Sequence, residues 1–467
     1  MMQVYSLEEF KNFTPKRKIF ALFGSSAAFS LSPSLHNEIF QKCGLDCEYI
    51  SIIASPEEFP HALEIAREKV CGFNCTIPYK QTVIPYLSAA DKRVSVLGAA
   101  NTIVIKNGEF HGFNTDGQGF SRAMTLNGVS LENKKVLLLG CGGAALSIAY
   151  ECALHGANSV TVAARSKEKA LNFIETLKTS TALDIFSYTA LDTVSGSFDI
   201  LINATPVGMA ETEDICPVDF DNLHGLSFVY DCIYHPPMPK LLKEAEKRGI
   251  LWDNGLSMLV LQGVQSQVHW LEKDEYSDEL IAHVIDFIAV KQARERLRTV
   301  YKRSNIALTG FMGCGKTTIG KKLAELLNMD FIDLDQKIEA EQKMSISEIF
   351  EKKGEMYFRD LETQACHELN TLENTVIATG GGTVIRDRNA EILKENCLIV
   401  LLNQSLEQIE KNLSVSYARP LLQVANVSEH IKSLYDFRTP QYLANSDIIV
   451  SFPAGVRDSA RHVLMHI

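Results

Sequence analysis

Two glycine-rich turns, each placed between an apolar run and a helix-forming segment, constrain the fold of this chain more than any other feature. The first is LLLGCGGAA at 137–145, and the second is GFMGCGKT at 310–317. A glycine turn in this position lets backbone N–H groups at a helix N-terminus approach a phosphate group. Because each turn must follow a strand and begin a helix, both parts of the chain are predicted to have α/β folds.

The same alternation of strand and helix patterns extends along the whole chain. Strand-like runs separated by segments long enough for helices include KIFALFG, CEYISII, VCGFNCT, SVTVAAR, FDILINA, MDFIDLD and CLIVLLN. Such alternation predicts sheets that are largely parallel. One exception is NTIVIKNGEFHGF at 101–113, where Asn107-Gly108 separates two alternating runs and predicts a type I′ hairpin.

Length and charge limit the classes of protein to consider. A chain of 467 residues is too long for one core and predicts several domains. Its net charge of −11 disfavours an extended nucleic-acid surface, and no stretch approaches the ~18 uninterrupted apolar residues of a membrane span. The first residues lack the apolar core of a signal peptide, and no C-x-x-C pair occurs. We therefore expect a cytoplasmic protein with reduced thiols, without nucleic-acid or membrane partners, and either monomeric or homodimeric.

The first turn has the spacing of a dinucleotide-binding loop. Gly140 permits the tight turn after the strand, and Gly142 lets the backbone approach a pyrophosphate. The next strand, SVTVAA, is followed by Arg165-Ser166-Lys167, where NAD-binding proteins usually have an acid. Cations and a hydroxyl at this point favour the 2′-phosphate of NADP(H). The alternatives are a glycine turn that binds nothing and the basic start of an ordinary solvated helix.

Seven motifs around this turn carry a resemblance to a known family. They are FSLSPSLHN (29–37), GFNCTIPYK (72–80), GAANT (98–102), GFNTDG (112–117), NATPVGM (203–209), YDCIYHPP (230–237) and GLSMLVLQG (255–263). In this order they resemble shikimate dehydrogenase over about residues 18–270. That family reduces 3-dehydroshikimate to shikimate with NADPH, and the resemblance assigns acid–base catalysis to Lys80 and Asp116. Ketone reduction needs such a proton donor beside the reacting oxygen, whereas the alternative is a surface ion pair.

The resemblance also implies which residues bind the substrate and the cofactor. Substrate contacts are expected from Ser30, Ser32, Asn74, Thr76, Asn101, Tyr234 and Gln262. Cofactor contacts are expected from Gly140, Gly142, Gly143, Ala144, Ala145, Arg165, Ser166, Lys169, Asn203, Thr205 and Gly255. Two positions depart from the family pattern, because Phe29 stands where histidine is frequent and Ala164 where an asparagine usually precedes the arginine. We expect a reshaped pocket mouth and a less strict preference for NADP(H) over NAD(H).

The second turn is a complete P-loop, Gly310-x-x-x-x-Gly315-Lys316-Thr317. In such loops backbone N–H groups wrap the phosphates, the lysine neutralises charge and the hydroxyl binds Mg²⁺. The motifs that follow are FIDLDQKIE (331–339), SISEIFEKKGEMYFRDLE (345–362), VIATGGGTVI (376–385), ARPLL (418–422) and RTPQYLANSD (438–447). They resemble shikimate kinase over nearly all of residues 305–467, which implies phosphorylation of shikimate by ATP.

The resemblance to shikimate kinase assigns a role to residues in each motif. Asp333 is expected to bind Mg²⁺ together with Thr317, and Asp335 to hold the acceptor hydroxyl and take its proton. Substrate contacts are expected from Asp335, Arg359, Gly380, Gly381, Gly382 and Arg438, and contacts to ATP from Gly310, Gly313, Cys314, Gly315, Lys316, Thr317 and Thr318. Lys316 and Arg419 are expected to act in catalysis, Arg419 from a lid that closes over the phosphates. Lys411 stands where the family often has an arginine, so weaker nucleotide binding is expected.

Together, the two resemblances predict an α/β chain with two consecutive activities. The dehydrogenase is predicted to have an α/β substrate domain at 1–117, completed by helices at about 256–295, and a Rossmann NADP domain at 118–255. A linker at 296–304 then joins it to a P-loop kinase domain with a parallel sheet at 305–467. Two alternatives remain: one half is catalytically silent and senses a metabolite, or the dehydrogenase acts on a quinate-type substrate.

Overall fold

The computed structural model describes residues 4–25, 27, 30–414, 427–452 and 458–467. The chain divides into two compact units, Met1–Ile288 and Ala289–Ile467. Each is an α/β structure with mainly parallel strands, which confirms the predicted fold class. Because the first unit contains two large sheets, we describe it as an N-terminal lobe (residues 4–126) and a central lobe (residues 135–254).

The N-terminal lobe is built on a seven-stranded mixed sheet. Its elements are β1 (Val4–Ser6), α1 (Leu7–Asn12), β2 (Lys18–Phe23), α2 (Ser32–Lys42), β3 (Cys47–Ile53), α3 (Phe59–Lys69), β4 (Gly72–Cys75), α4 (Tyr79–Thr82), β5 (Ala89–Ala90), α5 (Lys92–Leu97), β6 (Thr102–Lys106), β7 (Glu109–Phe113) and α6 (Asp116–Leu126). The strand order is β1-β3-β2-β4-β6-β7-β5, and β6 pairs antiparallel with both β4 and β7. The β6–β7 turn confirms the predicted type I′ hairpin, since Asn107 and Gly108 both have positive φ angles.

The central lobe is built on a six-stranded parallel sheet. Its elements are β8 (Lys135–Leu139), α7 (Gly143–Leu154), β9 (Ser159–Ala164), α8 (Lys167–Thr181), β10 (Phe186–Ala190), β11 (Gly196–Ser197), β12 (Ile200–Asn203), β13 (Leu223–His224), β14 (Phe228–Asp231), α9 (Lys240–Lys247) and β15 (Leu251–Asn254), and α10 (Gly255–Leu271) and α11 (Asp278–Thr299) follow. The order β10-β9-β8-β12-β14-β15 is that of a Rossmann fold, with β8 as the first strand. The strand order therefore reverses beside β8, where a dinucleotide binds in such sheets.

The second unit is built on a five-stranded parallel sheet with the order β17-β18-β16-β19-β20. Its elements after α11 are β16 (Asn305–Thr309), α12 (Lys316–Leu327), β17 (Asp330–Asp333), α13 (Leu334–Gln342), α14 (Ile346–Lys353), α15 (Glu355–Leu369), β18 (Thr375–Ala378), α16 (Asp387–Lys394), β19 (Cys397–Asn403), α17 (Leu406–Ser414), α18 (Val427–Asn445), β20 (Ile448–Ser451) and α19 (Ser459–Leu464). The P-loop connects the central strand β16 to α12. Its Gly310, Gly313 and Gly315 all have positive φ angles, which other residues rarely adopt.

Apolar strands supply the cores on which these sites rest. Residues 136–139 of β8, 305–309 of β16 and 397–402 of β19 are buried without interruption, as expected of central parallel strands covered on both faces. Within the part of the chain that the structure describes, no helix combines the length and apolarity required to cross a bilayer.

Candidate active sites

The predicted acid–base residues form a direct ion pair in the first unit. Lys80 lies on α4, Asp116 begins α6, and Lys80 Nζ donates to Asp116 Oδ2 at 2.6 Å. The two side chains are 31% and 15% exposed, whereas the equally short pair Lys106–Glu272 is 48% and 69% exposed. Partial burial strengthens the attraction and keeps the ammonium within reach of a ligand.

A polar network orients Asp116 from the protein side. Asn101 Nδ2 lies 2.9 Å from Asp116 Oδ1 and 3.1 Å from Gln262 Oε1. Asn101 Oδ1 accepts a hydrogen bond from the Thr115 backbone N–H at 2.9 Å, which fixes the direction of the amide. Since Asn101 is almost completely buried, the network holds the carboxylate in one orientation.

The ion pair faces a cleft that brings the predicted substrate residues together. The cleft is lined by Leu22, Ser30, Ser32, Asn74, Cys75, Thr76, Lys80, Asn101, Asp116, Ala144, Cys232, Tyr234, Gly255, Met258, Leu259 and Gln262. Ser30 Oγ donates to Ser32 Oγ at 3.1 Å, so two hydroxyls lie side by side in the lining of the cleft. Burial raises the pKa of Tyr234, which keeps its phenol protonated as a hydrogen-bond donor. Phe29, the departure noted above, lies outside the described residues.

Asn74 differs from the other substrate candidates because its amide already has protein partners. Its Nδ2 lies 2.9 Å from the Asn101 carbonyl oxygen and 3.1 Å from Ser266 Oγ, and its Oδ1 accepts a hydrogen bond from the Tyr49 hydroxyl at 2.7 Å. The side chain therefore supports Asn101 as well as lining the cleft.

The first glycine turn fits the pyrophosphate of a dinucleotide. At Gly140, which has a φ of +100°, an added Cβ would lie 3.1 Å from the Ala204 carbonyl oxygen. At Gly142 and Gly143 an added Cβ would meet no described atom within 4 Å, so the N-terminus of α7 is open. Ala144 is exposed beside them, whereas Ala145 is buried and packs the helix onto the lobe. Accessible backbone N–H groups and the helix dipole suit an anion here.

The cationic segment after β9 lies where the ribose end of the cofactor is recognised in Rossmann folds. Arg165 is exposed directly after the strand, and the Ser166 side chain caps α8 by accepting from the Lys169 backbone N–H. The nearest acid, Glu168, is in the first turn of α8. This residue set fits a 2′-phosphate.

Asn203 is completely buried and shapes the turn that follows β12. Its Oδ1 accepts from the Thr205 backbone N–H at 3.0 Å and from Thr205 Oγ1 at 2.7 Å, and its Nδ2 donates to Asp231 Oδ1 at 3.0 Å. Thr205 in turn lies against Gly140. Burial raises the pKa of Asp231 to about 7. Asn203 therefore fixes the position of Thr205, which lies against the glycine turn.

Gly255, the last predicted cofactor residue of the first unit, is required by a close backbone contact. An added Cβ would lie 2.0 Å from the Cys232 carbonyl oxygen. Its N–H donates to the Ile233 carbonyl oxygen at 3.0 Å, which brings the start of α10 to the edge of the cleft.

The P-loop of the second unit has the residues for a nucleotide with Mg²⁺. Thr317 Oγ1 donates to Asp333 Oδ2 at 2.7 Å, which joins the two predicted metal ligands, one in the first turn of α12 and the other at the end of β17. A hydroxyl and a carboxylate are oxygen ligands that Mg²⁺ prefers, so the pair fits this ion. Lys316 Nζ donates to the Gly310 carbonyl oxygen at 2.8 Å. Cys314 is buried in the loop, and Thr318 follows in the first turn of α12.

Arg359 of α15 is oriented by a completely buried glutamate. Its Nη1 donates to Glu362 Oε2 at 2.7 Å, and Thr383 Oγ1 donates to Glu362 Oε1 at 2.7 Å. The Arg359 guanidinium lies so close to Gly382 that an added Cβ there would be 2.3 Å from Nη1. The absence of a side chain at Gly382 therefore leaves room for the arginine beside the segment that follows β18.

The remaining predicted substrate residues of the kinase lie around the same segment. Arg359, Gly382 and Arg438 line one cavity, and Arg438 Nη1 donates to the Gly381 carbonyl oxygen at 3.2 Å. An added Cβ at Gly380 would lie 2.7 Å from Asp335 Oδ1, which locates that carboxylate beside the glycines. The predicted lid residue Arg419 lies outside the described residues.

Two residues of these sites, Asp231 and Glu362, had no role in the sequence analysis. Both could have been recognised from the sequence. Asp231 is an acid directly at the end of an apolar strand, and Glu362 follows Arg359 by three residues, which places the two on one face of a helix.

The folds and sites define a pyridine-nucleotide dehydrogenase joined to a P-loop phosphotransferase. Residues 22–103 match the family model of the shikimate dehydrogenase substrate binding domain, residues 122–211 that of shikimate / quinate 5-dehydrogenase, and residues 312–465 that of shikimate kinase. The NADP(+) shikimate dehydrogenase of Caldicellulosiruptor bescii is 36% identical over 275 residues, which are 58% of this chain and 94% of that protein. That of Methanococcus maripaludis is 37% identical over 261 residues, 55% of this chain and 93% of that protein.

A solved shikimate dehydrogenase in complex with NADP⁺ is similar in structure as well. It has 33% sequence identity and a TM-score of 0.53, and the match covers 58% of this chain and 96% of that one. The chain belongs to the shikimate dehydrogenase family and carries a shikimate kinase domain in its second unit. The predicted fusion of the two enzymes is thereby confirmed.

Proposed function

We propose that the first unit reduces 3-dehydroshikimate to shikimate with NADPH, and that the second phosphorylates shikimate with ATP and Mg²⁺ to shikimate 3-phosphate. The observation that carries the first half is the partly buried Lys80–Asp116 pair in a cleft lined by all seven predicted substrate residues. Cytoplasmic localisation, a monomeric or homodimeric state and the absence of nucleic-acid and membrane partners are parts of this proposal that rest on the sequence.

In the dehydrogenase, the chain supplies binding and proton transfer, while NADPH supplies the hydride when bound. The Ser30 and Ser32 hydroxyls bind the substrate carboxylate, and Thr76, Asn101 and Gln262 bind its ring hydroxyls. Lys80 Nζ donates a proton to the carbonyl oxygen as negative charge develops on it.

Asp116 has two tasks in this scheme. Its Oδ2 holds the Lys80 ammonium, and it accepts a hydrogen bond from a substrate hydroxyl. Because Asn101 already fixes Oδ1, the carboxylate does not have to reorient when the substrate binds.

In the kinase, ATP with Mg²⁺ supplies the phosphoryl group when bound. Thr317 and Asp333 hold the metal, and Lys316 neutralises charge on the phosphates. Arg359 and Arg438 grip the shikimate carboxylate, and Asp335 accepts the proton of the attacking hydroxyl. Arginine suits this task because its planar donors match a carboxylate in two parallel hydrogen bonds.

A coupled assay with the full-length chain tests both halves. With 3-dehydroshikimate, NADPH, ATP and Mg²⁺, we expect NADPH oxidation and formation of shikimate 3-phosphate, each followed separately. Lys80→Met is expected to lower NADPH oxidation by about 10²-fold or more, the scale of a positioned acid, while phosphorylation of added shikimate continues.

The matched control is Lys106→Met, because Lys106 belongs to an exposed ion pair of the same length. We expect it to leave both activities unchanged. Full dehydrogenase activity in Lys80→Met would reject the assignment of the proton donor. NADPH oxidation without shikimate 3-phosphate, or phosphorylation of added shikimate without NADPH oxidation, would instead favour a half that only binds its metabolite.

A further inference from the structure

One buried carboxylate lies where three helices of the first unit meet. Glu151 is on α7, the helix that begins at the cofactor turn, and only 1% of its side chain is exposed. Among the described residues, its Oε1 accepts from Arg93 Nε at 2.7 Å, whereas its Oε2 has no hydrogen-bond donor. His155, which is half exposed, lies 3.5 Å from Oε2. Arg93 is therefore the principal partner of this buried charge.

Arg93 belongs to α5, which leads directly into the segment that holds the acid–base residues. After α5, the Ala100 N–H donates to the Lys80 carbonyl oxygen at 2.8 Å. The next residue, Asn101, donates to Asp116 Oδ1 at 2.9 Å. A shift of α5 would thus be transmitted to both members of the Lys80–Asp116 pair.

Glu151 also packs against the helix that carries Asp116. Gly117 follows Asp116 on α6, and an added Cβ at Gly117 would lie 2.7 Å from Glu151 Cγ and 2.9 Å from the Ser147 carbonyl oxygen. The backbones of α6 and α7 therefore approach closely one residue beyond the catalytic carboxylate. The Glu151 side chain thus connects α7, to which it belongs, with α6 and, through Arg93, with α5.

We propose that Arg93 and Glu151 are positioning residues that hold the cofactor-binding helix α7 in register with the Lys80–Asp116 pair. The proposal rests on the dehydrogenase site proposed above. Hydride transfer depends steeply on the distance and angle between its reactants, and a misplacement of 1 Å can lower a rate by about 10²-fold. In the proposed site the cofactor binds to the central lobe, whereas the Lys80–Asp116 pair belongs to the N-terminal lobe, so the reacting geometry depends on contacts between α5, α6 and α7.

The test uses the full-length chain with its kinase as an internal control. In Arg93→Met and Glu151→Gln we expect the dehydrogenase kcat to fall by about tenfold or more, with less than about threefold change in KM for shikimate and NADP⁺. The primary deuterium isotope effect on kcat should rise because hydride transfer becomes slower than product release. Kinase turnover should be unchanged.

Two further variants separate positioning from stability. Arg93→Lys keeps the charge and should retain most of the activity. The double variant Arg93→Met/Glu151→Gln removes the unpaired buried charge, so its thermal stability should recover towards that of the unmodified chain while its kcat stays low. The control is Arg122→Met, which removes an exposed ion pair with Asp278 at 2.6 Å and should change nothing.

The proposal is overturned if the double variant regains full kcat, since the pair would then only stabilise the unit. Normal kcat with an unchanged isotope effect in both single variants would overturn it as well. Failure of the underlying site assignment is distinguishable, because it is detected by Lys80→Met and does not involve Arg93 or Glu151. If a single variant does not fold, the comparison of Arg93→Lys with the double variant still decides the question.

Discussion

Glu362 offers the sharpest test of how the kinase site holds its substrate. We predict that Glu362→Gln raises KM for shikimate strongly and leaves KM for ATP unchanged. The glutamate is completely buried, accepts from Arg359 Nη1 at 2.7 Å and accepts from Thr383 Oγ1 at 2.7 Å. Glutamine has almost the same shape, so the change mainly removes the charge that attracts the guanidinium.

The size of the effect follows from the bond that is weakened. Hydrogen bonds to charged groups contribute about 1.5–3 kcal/mol, and about 1.4 kcal/mol corresponds to a factor of ten. If the binding position of Arg359 depends on Glu362, kcat/KM for shikimate should fall by about ten- to a hundredfold. The dehydrogenase reaction should not change, because its site lies in the other unit.

The chain contains a matched control on the same arginine. Glu355 accepts from Arg359 Nη2 at 3.0 Å, but its side chain is 64% exposed. An exposed pair contributes about 0–1 kcal/mol, so Glu355→Gln should change kcat/KM by no more than about fivefold. Steady-state kinetics at saturating ATP with varied shikimate measures both variants. Equal effects in the two variants, or a loss of ATP affinity in Glu362→Gln, would refute the reasoning.

Three further predictions concern individual side chains. Arg165→Ala should weaken the binding of NADPH far more than that of NADH, because only NADPH carries the 2′-phosphate; titration of both cofactors checks this, with Lys178→Ala, near the other end of the helix α8 that follows Arg165, as the control. Asp335→Asn should abolish phosphoryl transfer while ATP binding persists, and a parallel loss of ATP affinity would make Asp335 a metal or structural residue. Asp231→Asn should flatten the pH dependence of stability. With its pKa raised by burial to about 7, Asp231 contributes stability at acidic pH that is lost as pH rises towards 7, on the order of 4 kcal/mol. Calorimetry at pH 4 and pH 8, which span almost the whole interval between the unfolded and folded pKa values, measures the difference. Asp253, whose pKa burial raises to about 6, remains in the variant and should leave a smaller pH dependence.

The strands of the sheets were predictable because their sequences are locally distinctive. FDILINA and SFVYDCIY are short apolar runs, and the structure has strands at Ile200–Asn203 and Phe228–Asp231 within them. The pairing of these two strands, β12 and β14, and the pairing of β12 with β8 were not predictable, because parallel neighbours are distant from each other along the chain. The hairpin at Asn107-Gly108 was predictable in pairing as well, because its turn sequence fixes the register.

The residues of the candidate sites likewise include some that the sequence predicts and some that it does not. Gly142, Lys316 and Thr317 belong to motifs whose spacing alone specifies a backbone cradle. Glu151 was not predictable, because its partner Arg93 is 58 positions away and nothing local distinguishes either residue from a solvated helix charge. Arg93 and Glu151 acquire their roles from burial and mutual contact, which only the folded arrangement determines.

Helix α11 determines where the two enzymes of the chain can be separated. The linker proposed from sequence at 296–304 suggests separating the enzymes near Arg303, but the compact second unit begins at Ala289, within α11. Arg296 is largely buried and its Nε donates to the Ile467 carbonyl oxygen at 2.8 Å, and Arg294 Nη2 donates to the Asn328 carbonyl oxygen at 2.9 Å. Both bonds lie within the second unit and are lost in a fragment that starts at 303.

We therefore predict that fragment 289–467 is more stable than fragment 303–467. Loss of a buried hydrogen bond to a charged group costs about 1.5–3 kcal/mol, which corresponds to roughly 1 M in the urea midpoint for a domain of this size. Urea unfolding of both fragments, with shikimate kinase activity as a second probe, measures the difference. Arg296→Gln within fragment 289–467 should reproduce a large part of the loss, and Arg298→Gln, also in the last turn of α11, serves as the control. Equal midpoints for the two fragments would show that residues 289–302 do not belong to the kinase, and would return the boundary to the linker proposed from the sequence.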